Sequence, residues 1–198
     1  MRIKTSETEI KHLSIAWLAI SFAFSVLIVR WTNWGRVYHI DPLEIFILSL
    51  VTVGSAFVLH ELAHKFVAQR YGCWSEFRME PMMLFMGVLF PLFAPFIFAA
   101  PGAVMIFKPF LSREENGKIA VAGPLMNVAL VFFFLPLKLF PGMIGAIGDF
   151  GAMINGWIAL FNMIPFGVLD GRKVLGWDGK AYGIALVVAL FAFFIGGI

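Results

Sequence analysis

Two histidines and a glutamate lie close together in an apolar part of the chain, in the segment HELAH that runs from His60 to His64. Residues four positions apart share one face of a helix, so both imidazoles can reach one metal ion. Glu61 lies beside them, where it can take a proton from a metal-activated water. The spacing therefore predicts a zinc site with His60 and His64 as ligands and Glu61 as the catalytic base. The alternative is a polar cluster at the point where a helix meets water.

A third ligand is needed, because a catalytic zinc ion takes three protein ligands and keeps one open position. Asp170 is the candidate, since it follows a long apolar run and is predicted to end that span on the same side of the membrane as His60 and His64. His39 is expected at the opposite membrane face, and Cys73 offers no recognised ligand geometry. The simpler alternative for Asp170 is a turn residue before Gly171.

The composition indicates the elements that must position these residues. Hydrophobic residues make up 61% of the 198 positions and charged residues 14%, against about 45–50% and about 25% in soluble domains. The mean hydropathy is +0.90. The chain is therefore predicted to be an all-α integral membrane protein, in which residues 1–198 form a single polytopic domain. The net charge of +3 is expected from basic cytoplasmic loops rather than from nucleic-acid binding, and the oligomeric state is left open.

Five apolar runs are long enough to cross a bilayer as helices of about 20 residues. They are Leu13–Val29, Leu43 to about Ala68, Ile119 to about Phe140, about Phe150 to Leu169, and Ala181–Ile198. The first is read as an uncleaved span rather than a signal peptide.

A sixth apolar stretch, Met82–Phe107, lies between the second and third spans and contains Pro91, Pro95 and Pro101. Proline interrupts the helical ladder, so this stretch is predicted to be a re-entrant hairpin or loop. Whether it is a β-hairpin, a pair of half-helices or a kinked single span stays open at this stage.

The distribution of basic residues favours re-entry. If the stretch enters and leaves on one side, 12 of the 15 Lys and Arg residues face one compartment and 3 face the other; if it crosses once, the split is 7 to 8. The positive-inside rule then predicts a cytoplasmic N-terminus and a site that opens to the cytoplasm of a cell membrane. The three residues on the outer side are Arg30, Arg36 and Lys138, and the twelve on the inner side are Arg2, Lys4, Lys11, Lys65, Arg70, Arg78, Lys108, Arg113, Lys118, Arg172, Lys173 and Lys180.

Three motifs together resemble the site-2 protease family of intramembrane zinc metalloproteases. They are the HELAH segment, the Gly-Pro-x-x-Asn segment from Gly123 to Asn127, and Asn162-x-x-Pro165 followed by Leu169-Asp170-Gly171. The resemblance covers roughly Thr52–Lys173, which is the expected catalytic core. It departs from many members at Gly167 and Val168, where they carry further prolines, and the chain has no room for a PDZ or CBS domain.

The resemblance implies one zinc ion held by His60, His64 and Asp170, with Glu61 activating water. It also implies that Asn127, Asn162 and Pro165 contact an unwound substrate, although Asn127 can equally bond between helices. The expected reaction is peptide-bond hydrolysis in membrane-embedded protein substrates. Two rivals stay open: a different membrane zinc peptidase, for which no glutamate follows Glu115 as a third ligand, and an ion or metal transporter, for which no internal repeat is visible.

Overall fold

The computed structural model describes residues 4–95, 97 and 101–197. In this part of the chain five helices are long and apolar enough to span a membrane, which confirms the predicted all-α class. In chain order the helices are α1 (Glu7–Trp31), α2 (Trp34–Tyr38), α3 (Pro42–Ser49), α4 (Ser55–Arg70), α5 (Pro81–Leu89), α6 (Arg113–Phe134), α7 (Gly142–Asn162), α8 (Asp170–Trp177) and α9 (Gly179–Gly197). A π-helical turn, Leu50–Gly54, joins α3 to α4, so that together they make one continuous span of 29 residues.

The fourth span differs from the prediction of about Phe150 to Leu169, because α7 begins at Gly142 and ends at Asn162. Asp149 and the glycines around it depress the hydropathy of the first turns, but the charge of Asp149 is matched by Lys138 at 2.9 Å. The predicted end was too late because Pro165 cannot continue a helix and Gly167 has a φ of 60°. Asp170 therefore does not end the span; it begins α8 after a loop.

The stretch between the second and third spans is a β-hairpin that carries a short helix. Strand β1 (Trp74–Met79) pairs antiparallel with β2 (Gly102–Phe107), in a register from Trp74↔Phe107 to Met79↔Gly102. The chain therefore leaves the strand pair and returns to it at the same end, which confirms the predicted hairpin. Between the strands lie α5 and a 3₁₀ turn, Phe90–Leu92, together too short to span. Residues 96 and 98–100 of this stretch, and Arg2 of the charge comparison, lie outside the described residues.

Helix α7 lies between two apolar cores. One core packs α7 against α1 and α3 and includes Ile28, Leu48 and Phe150; the other packs it against α6 and α9 and includes Val131, Ala159 and Ala189. Small residues such as Gly156 and Gly196 line the contact between α7 and α9, so the two helices approach closely. This central position fixes the C-terminal end of α7, from which the chain continues to Asp170.

Candidate metal centre

The three predicted ligands lie together in the folded chain. The Nε2 atoms of His60 and His64 are 3.0 Å apart, and the Oδ2 atom of Asp170 lies 3.3 Å from the first and 3.1 Å from the second. All three residues are buried. The spacing of the histidines on α4 and the start of α8 thus bring two imidazoles and one carboxylate to a common point.

Hydrogen bonds from α6 fix the orientation of both imidazoles. His60 Nδ1 lies 2.6 Å from Asn127 Oδ1, and His64 Nδ1 lies 2.8 Å from the carbonyl oxygen of Ile119. Since both partners are acceptors, each Nδ1 carries the proton, and each neutral ring presents its Nε2 lone pair to the common point. Partners of this kind orient imidazole ligands in known metal sites.

This donor set fits a zinc ion. Zinc takes imidazole nitrogens and carboxylate oxygens in tetrahedral sites, and ligands bound at about 2.0–2.1 Å in a tetrahedron lie roughly 3.3–3.4 Å from one another. The observed separations of 3.0, 3.1 and 3.3 Å come close to that value. Three electron-pair donors at such distances repel one another unless a cation lies between them. Three protein ligands also leave one position open, as catalytic zinc requires.

Helix α6 approaches the two imidazoles directly at Gly123. A Cβ atom at this position would lie 2.5 Å from His60 Nε2 and just as close to His64 Nε2. The absence of a side chain is therefore a steric requirement of the site. Pro124 follows within the helix, and its missing N–H leaves the Ala120 carbonyl without the usual helical donor.

Asp170 reaches the site from the first turn of α8, where a carboxylate is favoured by the helix dipole. The next residue, Gly171, packs against the backbone of Met163, whose Cα atom lies 2.9 Å from the place a Cβ would take. Lys173 Nζ lies 3.5 Å from the other oxygen of Asp170, Oδ1.

Glu61 faces the same cavity as the metal ligands. The cavity has a volume of about 790 Å³ and a mainly apolar wall, contributed by α1, α4, the β-hairpin, α6, α7 and α8. Within it, Glu61 Oε2 accepts a hydrogen bond of 2.9 Å from the backbone N–H of Val104 on β2. A carboxylate, a metal-ligand set and an extended strand thus border one space, large enough for several residues of a peptide.

The residues predicted to contact substrate have different surroundings. Asn162 lines the cavity, and its amide nitrogen donates to the Ile158 carbonyl at 2.9 Å. Pro165 is exposed in the loop after α7 and is not among the described residues that line the cavity. Asn127 is fully buried, and its amide group bonds His60, Ala56 and Asn155.

Two further residues of the site had no predicted role there. Asn155 accepts from Asn127 at 2.8 Å and so supports the bond to His60. Its signal in the sequence was only an amide within an apolar helix. Lys173 lines the cavity beside Asp170. The only indication of this in the sequence was its position three residues after Asp170, a spacing that places two side chains on one face of a helix.

The fold and the site together define a membrane-embedded protein with a candidate metal centre of two histidines and a carboxylate. The chain is 48% identical to the "Putative zinc metalloprotease MJ0611" of Methanocaldococcus jannaschii, over 90% of this chain and 89% of that protein. It is 24% identical to the "Putative zinc metalloprotease YwhC" of Bacillus subtilis, over 76% of this chain and 82% of that protein. No family model matches the chain, and no solved structure matches it.

The first of these similarities extends over nearly the whole of both proteins. The chain therefore belongs to the same family as the Methanocaldococcus jannaschii protein, whose own name describes a zinc metalloprotease.

Proposed function

We propose that the chain is a zinc-dependent intramembrane metalloprotease of the site-2 type, which hydrolyses peptide bonds of transmembrane protein substrates. The observation that carries the proposal is the convergence of His60, His64 and Asp170 at a cavity that Glu61 also borders. The names of the two similar proteins support the zinc-protease part. One zinc ion per chain, a single domain over residues 1–198, no nucleic-acid partner, and a cell-membrane location with a cytoplasmic N-terminus belong to the same proposal.

The depth of the site supports cleavage within the membrane. His60 lies ten positions before Arg70, the last residue of the second span, which is about 15 Å along a helix axis. The hydrocarbon core of a bilayer is about 30 Å thick. Ile20 and Phe24, from the middle of α1, also line the cavity. A substrate that reaches this depth is itself a membrane-embedded segment.

The residues of the chain have distinct roles in the proposed hydrolysis. When bound, zinc supplies Lewis acidity that polarises the scissile carbonyl and acidifies the attacking water. Asn127 and the Ile119 carbonyl keep the two imidazoles in the tautomer that offers Nε2. Glu61 takes the proton from the attacking water and delivers it to the leaving amine nitrogen. Strand β2 offers an edge along which an unwound substrate can bind extended.

The test is chelator-sensitive cleavage. The purified protein is incubated in detergent with candidate single-span membrane proteins, with and without a zinc chelator, and its zinc content is measured. Cleavage is expected only without chelator. Transport of zinc across vesicles without any cleavage would favour the transporter instead.

A second arm uses Glu61→Gln, which keeps all three ligands and removes the base. Zinc content should stay near one per chain while cleavage falls about 10²–10⁴-fold, the usual contribution of general acid–base catalysis. Near-normal cleavage by this variant would exclude Glu61 as the base.

A further inference from the structure

On each outer edge of the β-hairpin, one backbone N–H donates a hydrogen bond to a glutamate side chain. Phe77 of β1 stands opposite Val104 of β2, and the N–H groups of both point away from the partner strand. The Phe77 N–H donates to Glu9 Oε1 at 3.0 Å, and the Val104 N–H donates to Glu61 Oε2 at 2.9 Å. Since outward-pointing pairs alternate along an antiparallel ladder, Gly102 and Ile106 point the same way as Val104. These three residues, the open edge of β2, all line the cavity.

The two glutamates have different environments. Glu9 is fully buried on α1, and its second oxygen pairs with the ammonium group of Lys65, which also donates to Thr5 at 3.0 Å. Removing one partner from such a buried pair is strongly unfavourable. Glu9 therefore stays bonded to the Phe77 N–H, and this edge of β1 is not available to a substrate. Glu61, in contrast, borders the cavity, and among the described ion pairs none includes it. Its bond to Val104 can therefore be exchanged for another.

We propose that the Val104 N–H is a shared donor: it holds Glu61 in the free protein and passes to a substrate backbone carbonyl when an extended segment adds to the open edge of β2. This exchange releases the Glu61 carboxylate to serve as the base. The inference rests on the proposed protease function. A backbone carbonyl is the usual acceptor for an edge N–H, and the cavity next to β2 can hold such a segment.

The exchange makes substrate conformation a condition of activity. The carbonyls of an intact transmembrane helix are bonded within the helix, so a helical segment has no acceptor that can replace Glu61. An unwound segment has free carbonyls spaced for a strand edge. The proposed exchange therefore predicts that an unwound segment releases Glu61 and that an intact helix does not.

The competition between Glu61 and a substrate carbonyl for the Val104 N–H can be tested without catalysis. The full chain in detergent with a zinc chelator is titrated with a fluorescent 20-residue apolar peptide whose helix is broken by a central Gly-Asn-Gly, and a matched Leu/Ala peptide serves as the helical control. Glu61→Ala removes the competing acceptor, so the broken-helix peptide should bind roughly fivefold more tightly, with little change for the control peptide. Equal or weaker binding by Glu61→Ala overturns the proposal.

Two proline variants identify the donor. Val104→Pro removes the shared N–H, whereas Ile106→Pro removes an N–H of the same edge that makes none of the described hydrogen bonds to Glu61. Ile106→Pro should weaken binding of the broken-helix peptide. Adding Glu61→Ala to this variant should still increase the affinity for that peptide. In Val104→Pro the gain from Glu61→Ala should vanish, and its persistence there overturns the proposal. Val104→Ala, which keeps the N–H, controls for loss of the side chain, and thermal melts show that each variant is folded.

The peptide-binding test of the shared donor and the cleavage test of the protease function can fail independently. If wild-type protein shows no chelator-sensitive cleavage while the binding gain appears and depends on Val104, the exchange stands and the protease assignment fails. If cleavage is present and the binding gain is absent, the protease assignment stands and the shared donor is wrong.

Discussion

His60 and His64 project from a continuous span of 29 residues and are each bonded to α6, whereas Asp170 begins a helix of eight residues after a largely exposed loop. The imidazole half of the candidate metal centre is thus fixed by long helices and by buried hydrogen bonds to a neighbouring span. The carboxylate half depends on the path of a short loop backbone and on one close helix contact. The two halves should therefore differ in how they respond to substitution.

The largest effect is expected from Gly123→Ala, which damages the imidazole half directly. The new Cβ would lie 2.5 Å from His60 Nε2 and equally near His64 Nε2, well inside van der Waals contact, and both groups sit on packed helices. Zinc binding should be lost, as measured by metal content and by calorimetric titration. Gly183→Ala on α9, where a Cβ meets no atom within 4 Å, is the matched control. Normal zinc binding by Gly123→Ala would mean that α6 does not contact the ligands.

Asp170→Asn should have the next largest effect, because it removes the charge of the carboxylate half and keeps its shape. A neutral amide is a poorer ligand for a dication, so zinc affinity should fall by more than about 100-fold, the upper end for residues that only orient a ligand. Cleavage should be abolished. Wild-type zinc affinity in this variant would remove Asp170 from the ligand set.

Asn127→Ala is expected to weaken zinc binding about 10–100-fold, the range for partners that orient a metal-bound imidazole. It removes the acceptor for His60 Nδ1 while leaving all three ligands in place. Asn155→Ala is the graded control, since Asn155 bonds Asn127 and Asn127 in turn bonds the ring, and its effect should be smaller. An equal effect of the two would indicate that the pair stabilises the helix contact rather than the imidazole.

The sequence predicted the imidazole half well because it depends on helical periodicity. A spacing of four on an apolar helix is enough to place both rings on one face, and the apolar runs located the five spans. The re-entrant stretch was also predicted, from its prolines and from the charge distribution. The first strand was missed because it begins at Trp74, before the proline-containing run, and its burial alternates over only six residues.

The carboxylate half was predicted less completely, for a physical reason. Hydropathy measures how a segment partitions into lipid, and it does not register that Asp149 is neutralised by Lys138, so the fourth span was placed several residues too late. Nor does it show hydrogen-bond partners between helices. Asn127 and Asn155 could be identified as costly amides in a membrane helix, but only the packing of α6 between α4 and α7 assigns the Asn127 oxygen to His60.

The smallest effect is expected from Gly171→Ala, which tests whether the close contact of α8 with the end of α7 positions Asp170. The added Cβ would lie 2.9 Å from Met163 Cα and nearer still to the Met163 carbonyl group, and backbone atoms of a packed helix end cannot rotate away. Helix α8 must therefore shift, carrying Asp170 out of line with the two imidazoles. Zinc affinity should fall roughly tenfold, the low end for a misoriented ligand, while His60 and His64 keep their bonds to α6. Gly176→Ala lies on the same short helix and meets no atom within 4 Å, so it should leave zinc affinity unchanged and stabilise α8 by up to about 1 kcal/mol. If the two alanine variants bind zinc equally well, the position of Asp170 is set by the metal itself rather than by this contact. The carboxylate half would then form only when zinc binds, in contrast to the imidazole half.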